Sequence, residues 1–175
     1  MISHQSRTFN HRHPHHCILK TNVAYSLQQT LMLKLIKNLI KKIELKYGIH
    51  VFQHFIQRNH VHLFIAAKRK DMLSDSMRYL ASMIARTINS LLKRRGSFWA
   101  DRFFSQTKRT AREIAHTIAY IARQTQEINP LANHCSSFEN EQQLINFPRV
   151  ILNRIGVGKD FQKLKHLVLY GELPY

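Results

Sequence analysis

The chain has 175 residues, about one domain by the usual size relation. A hydrophobic fraction of 44 % with 10 % aromatics supplies a core and excludes a disordered or purely solvating chain. Lys and Arg number 27 against 10 Asp and Glu, a formal charge of +17, and self-repulsion of that size points to a polyanionic partner, nucleic acid before an anionic membrane.

Residues 1–14 hold His4, His11 and His13 among polar neighbours and read as a flexible His-rich tail, with no apolar signal core. His15 to Asn22 is a possible first strand. From Ser26 to Tyr47 the pattern turns helical, with Met32, Leu35, Ile36, Leu39 and Ile43 in one apolar stripe and Gly48 as the stop. Lys34, Lys37, Lys41 and Lys42 interrupt this apolar-rich stretch, so no bilayer span is expected.

Ile49 to Ile56 and His60 to Ala67 are rich in β-branched and aromatic residues, and the polar Gln57-Arg58-Asn59 between them predicts a hairpin. A long helix is expected over about Ser74 to Leu92, with Met77, Leu80, Ile84, Ile88 and Leu91 at three- and four-residue steps. Ser97 to Thr107 is aromatic and mixed and should contain a strand. Thr110 followed three residues later by Glu113 is a capping box, so a helix starts there and should run to about Glu127.

The order strand, helix, strand, strand, helix, strand is that of the ferredoxin-like split βαβ arrangement. The expected class is α+β, an antiparallel sheet with helices on one face and an extra C-terminal helix. Residues 15–130 form the expected domain. Residues 131–175 are expected as an extension packed on that domain or contacting DNA, with short helices near Gln142–Ile145 and Asp160–Tyr170. Cys17 and Cys135 make neither a CxxC pair nor a zinc-ribbon spacing, and a reducing cytoplasm is the expected compartment.

The charge is concentrated. Residues 68–112 carry twelve Lys or Arg against three Asp, with Tyr79, Phe98, Trp99, Phe103 and Phe104 threaded between them. Basic side chains neutralise phosphates and aromatic faces stack unpaired bases. Lys93, Arg94, Arg95, Arg102, Lys108 and Arg109 are the expected DNA contacts, with Trp99 either stacking on a base or plugging the core. The Arg94–Arg95 pair is expected to be solvated and to contribute little to folding.

Two clusters bear on chemistry. His60 and His62 alternate on a strand, so both imidazoles share a face and together could chelate a divalent metal; sheet-surface histidines without a ligand role are the competing reading. On the helix from Thr110, Glu113, His116, Tyr120, Gln124 and Glu127 fall on one stripe, opposite Ile114, Ile118 and Ile121. Tyr120 thus sits at the centre of the polar face, where a tyrosine kept for packing would more often join the isoleucines.

Three segments carry a family resemblance. Arg58-Asn59-His60-Val61-His62-Leu63-Phe64-Ile65 resembles the histidine–hydrophobic–histidine motif of the HUH single-tyrosine transposases, the insertion-sequence-200-like enzymes and the REP-associated tyrosine transposases. Gly96-Ser97-Phe98-Trp99-Ala100-Asp101-Arg102-Phe103-Phe104 is similar to their Gly-x-x-Trp-x-x-Arg-aromatic segment, and Ala119-Tyr120-Ile121-Ala122-Arg123-Gln124 to their tyrosine helix. The resemblance spans about residues 15–128 in the right order. It implies a ferredoxin-like fold, a divalent cation, Mg²⁺ or Mn²⁺, on His60, His62 and Gln124, and Tyr120 as the nucleophile. It further implies attack on single-stranded or hairpin DNA through a 5′-phosphotyrosine, with a free 3′-hydroxyl. An ordinary phenol, with a pKa of ~10, is a poor nucleophile at neutral pH, and a cation that stabilises charge on the phosphate supplies the missing help.

The chain departs from the REP-associated pattern where Gln124-Thr125 stands in place of Asn-Pro, and Gln at this position matches the insertion-sequence branch. Two rival readings share the residues: a catalytically silent nucleic-acid binder of the same fold, and a relaxase or replication-initiator type HUH nuclease. Monomer and homodimer are both compatible with the sequence.

Overall fold

The structure, a computed structural model, describes residues 8–22 and 24–128, with side chains described as far as Ile121. The expected extension at 131–175 and its two short helices lie outside these residues. Seven elements run in the order β1 (His15–Lys20), α1 (Thr30–Tyr47), β2 (His50–Ile56), β3 (His60–Ala66), α2 (Lys70–Leu91), β4 (Phe104–Thr107) and α3 (Ala111–Ile128). The sheet order is β2-β3-β1-β4 and every neighbouring pair is antiparallel. This is the ferredoxin-like topology that the element order predicts.

Helix α1 starts a turn later than the periodicity suggests. Residues 26–29 form a turn that places Leu27 in the core, and the helix proper begins at Thr30. Its end is as read: Gly48 takes φ 59°, left-handed, and its N–H donates to the Glu44 carbonyl at 3.0 Å. Helix α2 instead starts one turn early, at Lys70. Asp71 sits in the first turn, where a carboxylate complements the helix dipole, and pairs with Arg69. Leu73 is already buried there.

Alternation along the strands sorts the sheet into two faces. Cys17 and Leu19 of β1 and Val61, Leu63 and Ile65 of β3 join Ile36, Ile40 and Ile43 of α1 and Met77, Leu80, Ile84 and Ile88 of α2 in one buried core. The other face carries Phe64 on β3, with Phe52 and Phe55 of β2 beside it, all buried. Helix α3 contacts β2 and buries Ile114, Ile118 and Ile121 against this second face. The described residues therefore form three layers, with α1 and α2 on one side of the sheet and α3 on the other. A β-bulge between Val51 and Gln53 shifts the β2–β3 register and turns Phe52 toward Phe64, 5.7 Å between ring centroids.

Residues 8–14, expected within the flexible tail, are tied to the sheet edge. The Thr107 hydroxyl donates to the Thr8 carbonyl at 3.0 Å, Phe9 stacks on His15 at 4.9 Å, and the Lys108 N–H donates to the Pro14 carbonyl at 2.9 Å. Among the described residues, no helix is long and apolar enough to cross a membrane.

Candidate active site

The floor of the site is the α3-facing side of the sheet. Directly paired residues share a face, so register assembles it: Lys20 lies opposite His60, Ile18 opposite His62 and Phe104, His16 opposite Phe64 and Gln106. His60 is half-buried and His62 buried, with ring centroids 5.9 Å apart and planes inclined by 25°. Each has its Nδ1 engaged. The Asn59 Oδ1 lies 2.6 Å from His60 Nδ1, and the buried His16 Nε2 lies 3.2 Å from His62 Nδ1. Among the described residues, the Nε2 atoms of His60 and His62 make no hydrogen bond.

Helix α3 brings the tyrosine over this floor. Its start is the capping box read from the sequence: the Glu113 N–H donates to Thr110 Oγ1 at 3.1 Å, and Glu113 Oε2 accepts from the N–H groups of Arg109 at 2.7 Å and Thr110 at 3.2 Å. With the isoleucines turned to the sheet, Tyr120 emerges at the helix flank, 44 % exposed. Its ring stands edge-on to His62 at 6.0 Å and to His16 at 6.5 Å. Two clefts meet at this phenol. One, about 350 Å³, is lined by Lys20, His60, His62, Asp101, Arg102 and Tyr120 among others. The other, about 590 Å³, includes His16, Lys108, Arg112, Glu113, His116 and Tyr120.

Burial keeps the imidazoles neutral, because the charged form loses its hydration. It pushes His62 down to about 3, helped by His16 and His60, and His16 down to about 4, helped by Lys108. His60 is lowered as well, by desolvation and then by Lys20. Neutral imidazoles are the form that binds metals. Among the described residues no three His, Cys, Asp or Glu side chains gather as a metal cage, so any cation here rests on the two histidines plus donors of other kinds. Two Nε2 atoms without a hydrogen bond among the described residues, beside an open cleft, fit a divalent ion that takes its remaining ligands from an amide, water or phosphate.

The structure thus brings together His60, His62 and Tyr120. Gln124 lies on α3 one turn beyond Tyr120, and its side chain falls outside the described residues. Arg102 and Lys108 line the two clefts, and Arg109 is exposed at the start of α3. Lys93, Arg94 and Arg95 line neither cleft. They close the C-terminal end of α2: Lys93 adopts φ 50°, its N–H donates to the Ser90 carbonyl at 3.1 Å, and the Arg94 N–H donates to the Asn89 carbonyl at 2.9 Å, a Schellman closure. The Arg94 guanidinium then donates to Asn89 Oδ1 at 2.8 Å and to the Ser97 carbonyl at 3.3 Å. The expectation of a purely solvated Arg94 is corrected accordingly; Arg95 is the exposed member of the pair.

Trp99 is half-buried. Its Nε1–H donates to the Ala81 carbonyl at 2.9 Å, and its ring packs against the core and meets Phe98 edge-on. The 98–100 segment pairs with the end of β1: Asn22 N–H donates to the Phe98 carbonyl and Ala100 N–H to the Lys20 carbonyl. That anchorage places Asp101 and Arg102 at the rim of the smaller cleft.

Sequence reasoning missed His16, Lys20, Arg112 and the engagement of Asn59. The signal for His16 was present. In the split βαβ order the first and third strands are neighbours, and His16 alternates with the core residue Cys17, which puts it on the His62 face.

The sequence matches the model of the family described as "Transposase IS200 like" over residues 9–124. The chain belongs to the IS200-like transposase family. Membership in this transposase family makes it a DNA-cleaving and rejoining enzyme in general kind. No curated protein matches the chain significantly. Among solved structures, a REP-associated tyrosine transposase bound to a REP hairpin superposes with a TM-score of 0.67 at 14 % identity, over 84 % of this chain and 89 % of that one. A tRNA(His) guanylyltransferase from Saccharomyces cerevisiae superposes with a TM-score of 0.52 at 13 % identity, over 99 % of this chain and 85 % of that one. At such identities the likeness is one of fold, and the second neighbour shows that this fold serves unlike chemistries.

Proposed function

We propose that this member of the IS200-like family cuts and rejoins single-stranded or hairpin DNA through a 5′-phosphotyrosine on Tyr120. A divalent cation, Mg²⁺ or Mn²⁺, is held by His60 and His62 with Gln124 as third ligand. One observation carries the reading: an exposed phenol stands edge-on to His62 at the junction of two clefts with basic residues on both sides. Hairpin DNA enters because the REP-associated neighbour binds a hairpin.

In this reading Lys20 and Arg102 hold phosphates on one side of Tyr120, and Lys108 and Arg112 on the other. The Tyr120 Oη–phosphorus bond forms as the bond from phosphorus to the 3′ oxygen breaks. The phenol gives up its proton, and the departing oxygen gains one to become the 3′-hydroxyl. When bound, the cation polarises the scissile phosphate and stabilises its developing charge. The ester on Tyr120 conserves the phosphodiester, so a 3′-hydroxyl reverses the step without an external energy source.

The test is incubation of the full chain with single-stranded DNA from the flanks of its own gene plus Mg²⁺ or Mn²⁺. An SDS-resistant adduct that maps to Tyr120, and that EDTA abolishes, is expected. Cleavage that is complete in EDTA refutes the metal role. DNA binding with no adduct at any divalent ion favours the silent binder instead.

A further inference from the structure

His16 comes from a different strand than the paired histidines, 46 residues from His62 in sequence, and lies outside the His-x-His motif. Its ring centroid lies 5.4 Å from that of His62 with the planes inclined by only 19°, and its Nε2 meets His62 Nδ1 at 3.2 Å in a buried contact. Two neutral imidazoles share such a contact through one hydrogen, so one ring donates and the other accepts. If His16 donates, the His62 proton sits on Nε2 and the ring has no lone pair to offer the cleft. If His62 donates from Nδ1, its Nε2 is bare. The neighbouring ring shows which arrangement serves a cation. Asn59 Oδ1 is an acceptor, so His60 carries its proton on Nδ1 and leaves Nε2 bare.

We infer that His16 is a positioning residue: it accepts a hydrogen bond from His62 Nδ1 and fixes His62 in the tautomer whose Nε2 can face a divalent cation together with His60 Nε2. This inference rests on the proposed metal-assisted reading of the site. Partners of this kind orient metal-binding histidines and set which nitrogen is free. His16 itself is not a ligand here, since its Nε2 is committed to His62 on the side away from the His62 Nε2. Its burial between β3 and β4 holds the ring in place, and Tyr120 meets it edge-on, so rotation of His16 would also disturb the nucleophile.

The test uses the full chain labelled with ¹⁵N-histidine. In metal-free wild type, long-range ¹H–¹⁵N spectra are expected to show His62 protonated at Nδ1 and bare at Nε2. Mn²⁺ affinity, read by electron paramagnetic resonance, should fall about 10–100-fold in His16→Leu, the usual loss for such a partner. His16→Gln, whose Oε1 restores an acceptor at similar reach, should stay within about threefold of wild type by the same reasoning. A wild-type His62 protonated at Nε2 overturns the inference without any variant. So does a folded His16→Leu that binds Mn²⁺ as wild type does. A wild type that binds no Mn²⁺ and forms no adduct refutes the underlying reading itself, which is a distinguishable outcome.

Discussion

Arg94 offers a quantitative test of which basic residues serve the fold and which are left for DNA. Its half-buried guanidinium donates to Asn89 Oδ1 and the Ser97 carbonyl, while Asn89 Nδ2 donates to the Gly96 carbonyl at 3.2 Å. These bonds pin the turn between α2 and the Trp99 segment. A hydrogen bond from a charged donor contributes ~1.5–3 kcal/mol when buried, and the exposure of this turn reduces the pair to about 1–2 kcal/mol. For a chain of this size that corresponds to a melting-temperature loss of roughly 2–8 °C in Arg94→Ala. Arg95→Ala, one residue on and exposed, should melt within about 1 °C of wild type. Thermal melts of both variants, followed by circular dichroism, decide the matter. Equal melting temperatures for Arg94→Ala and wild type would refute the structural role and return Arg94 to the pool of DNA contacts.

Tyr120→Phe should lose the SDS-resistant DNA adduct entirely and keep DNA affinity within about twofold, since only one exposed hydroxyl is removed; a persistent adduct would place the nucleophile elsewhere. In a salt titration of single-stranded DNA binding, Arg102→Ala and Lys108→Ala should each flatten the slope of log K against log salt by about 0.7, one phosphate contact apiece, and an unchanged slope would remove that residue from the DNA path. Acid should unfold the protein early. Burial holds His62 near 3 and His16 and His54 near 4, against an ordinary 6.5, so the unfolded chain binds more protons than the native one between those values. Their contribution is complete above about pH 6.5 and is lost as pH falls toward 4 and then 3, with a slope of up to ~4 kcal/mol per pH unit for three protons. The melting temperature should be level from pH 7 to 8 and fall steeply below pH 6, and a level curve down to pH 5 would contradict neutral burial.

The features legible in the sequence were those set by local chemistry. The Thr110–Glu113 box marks the α3 start to within a residue because its hydrogen bonds are made within one turn. Strand alternation put His60 and His62 on one face, and helical spacing turned Tyr120 away from the isoleucines. Periodicity turns the α3 isoleucines toward a core but does not say which sheet face they meet, and in the structure they cover the face opposite α1 and α2. Arg94 looked solvated because its partners, Asn89 and Ser97, become neighbours only once Lys93 turns left-handed. His16 stayed hidden because its contact with His62 is a matter of strand register between distant segments.

The connection between β4 and α3 is only Lys108-Arg109-Thr110. Three residues reach ~10 Å at full extension, and Lys108 is already hydrogen-bonded to Pro14. Helix α3 meanwhile buries Ile114, Ile118 and Ile121 against the sheet of its own chain, and that packing holds the tyrosine helix in place. Within the described residues, Tyr120 stands edge-on to His62 of the same chain. A mixture of two damaged proteins, one lacking His62 and the other lacking Tyr120, should therefore remain inert, where an exchangeable helix would let the pair rebuild one working centre.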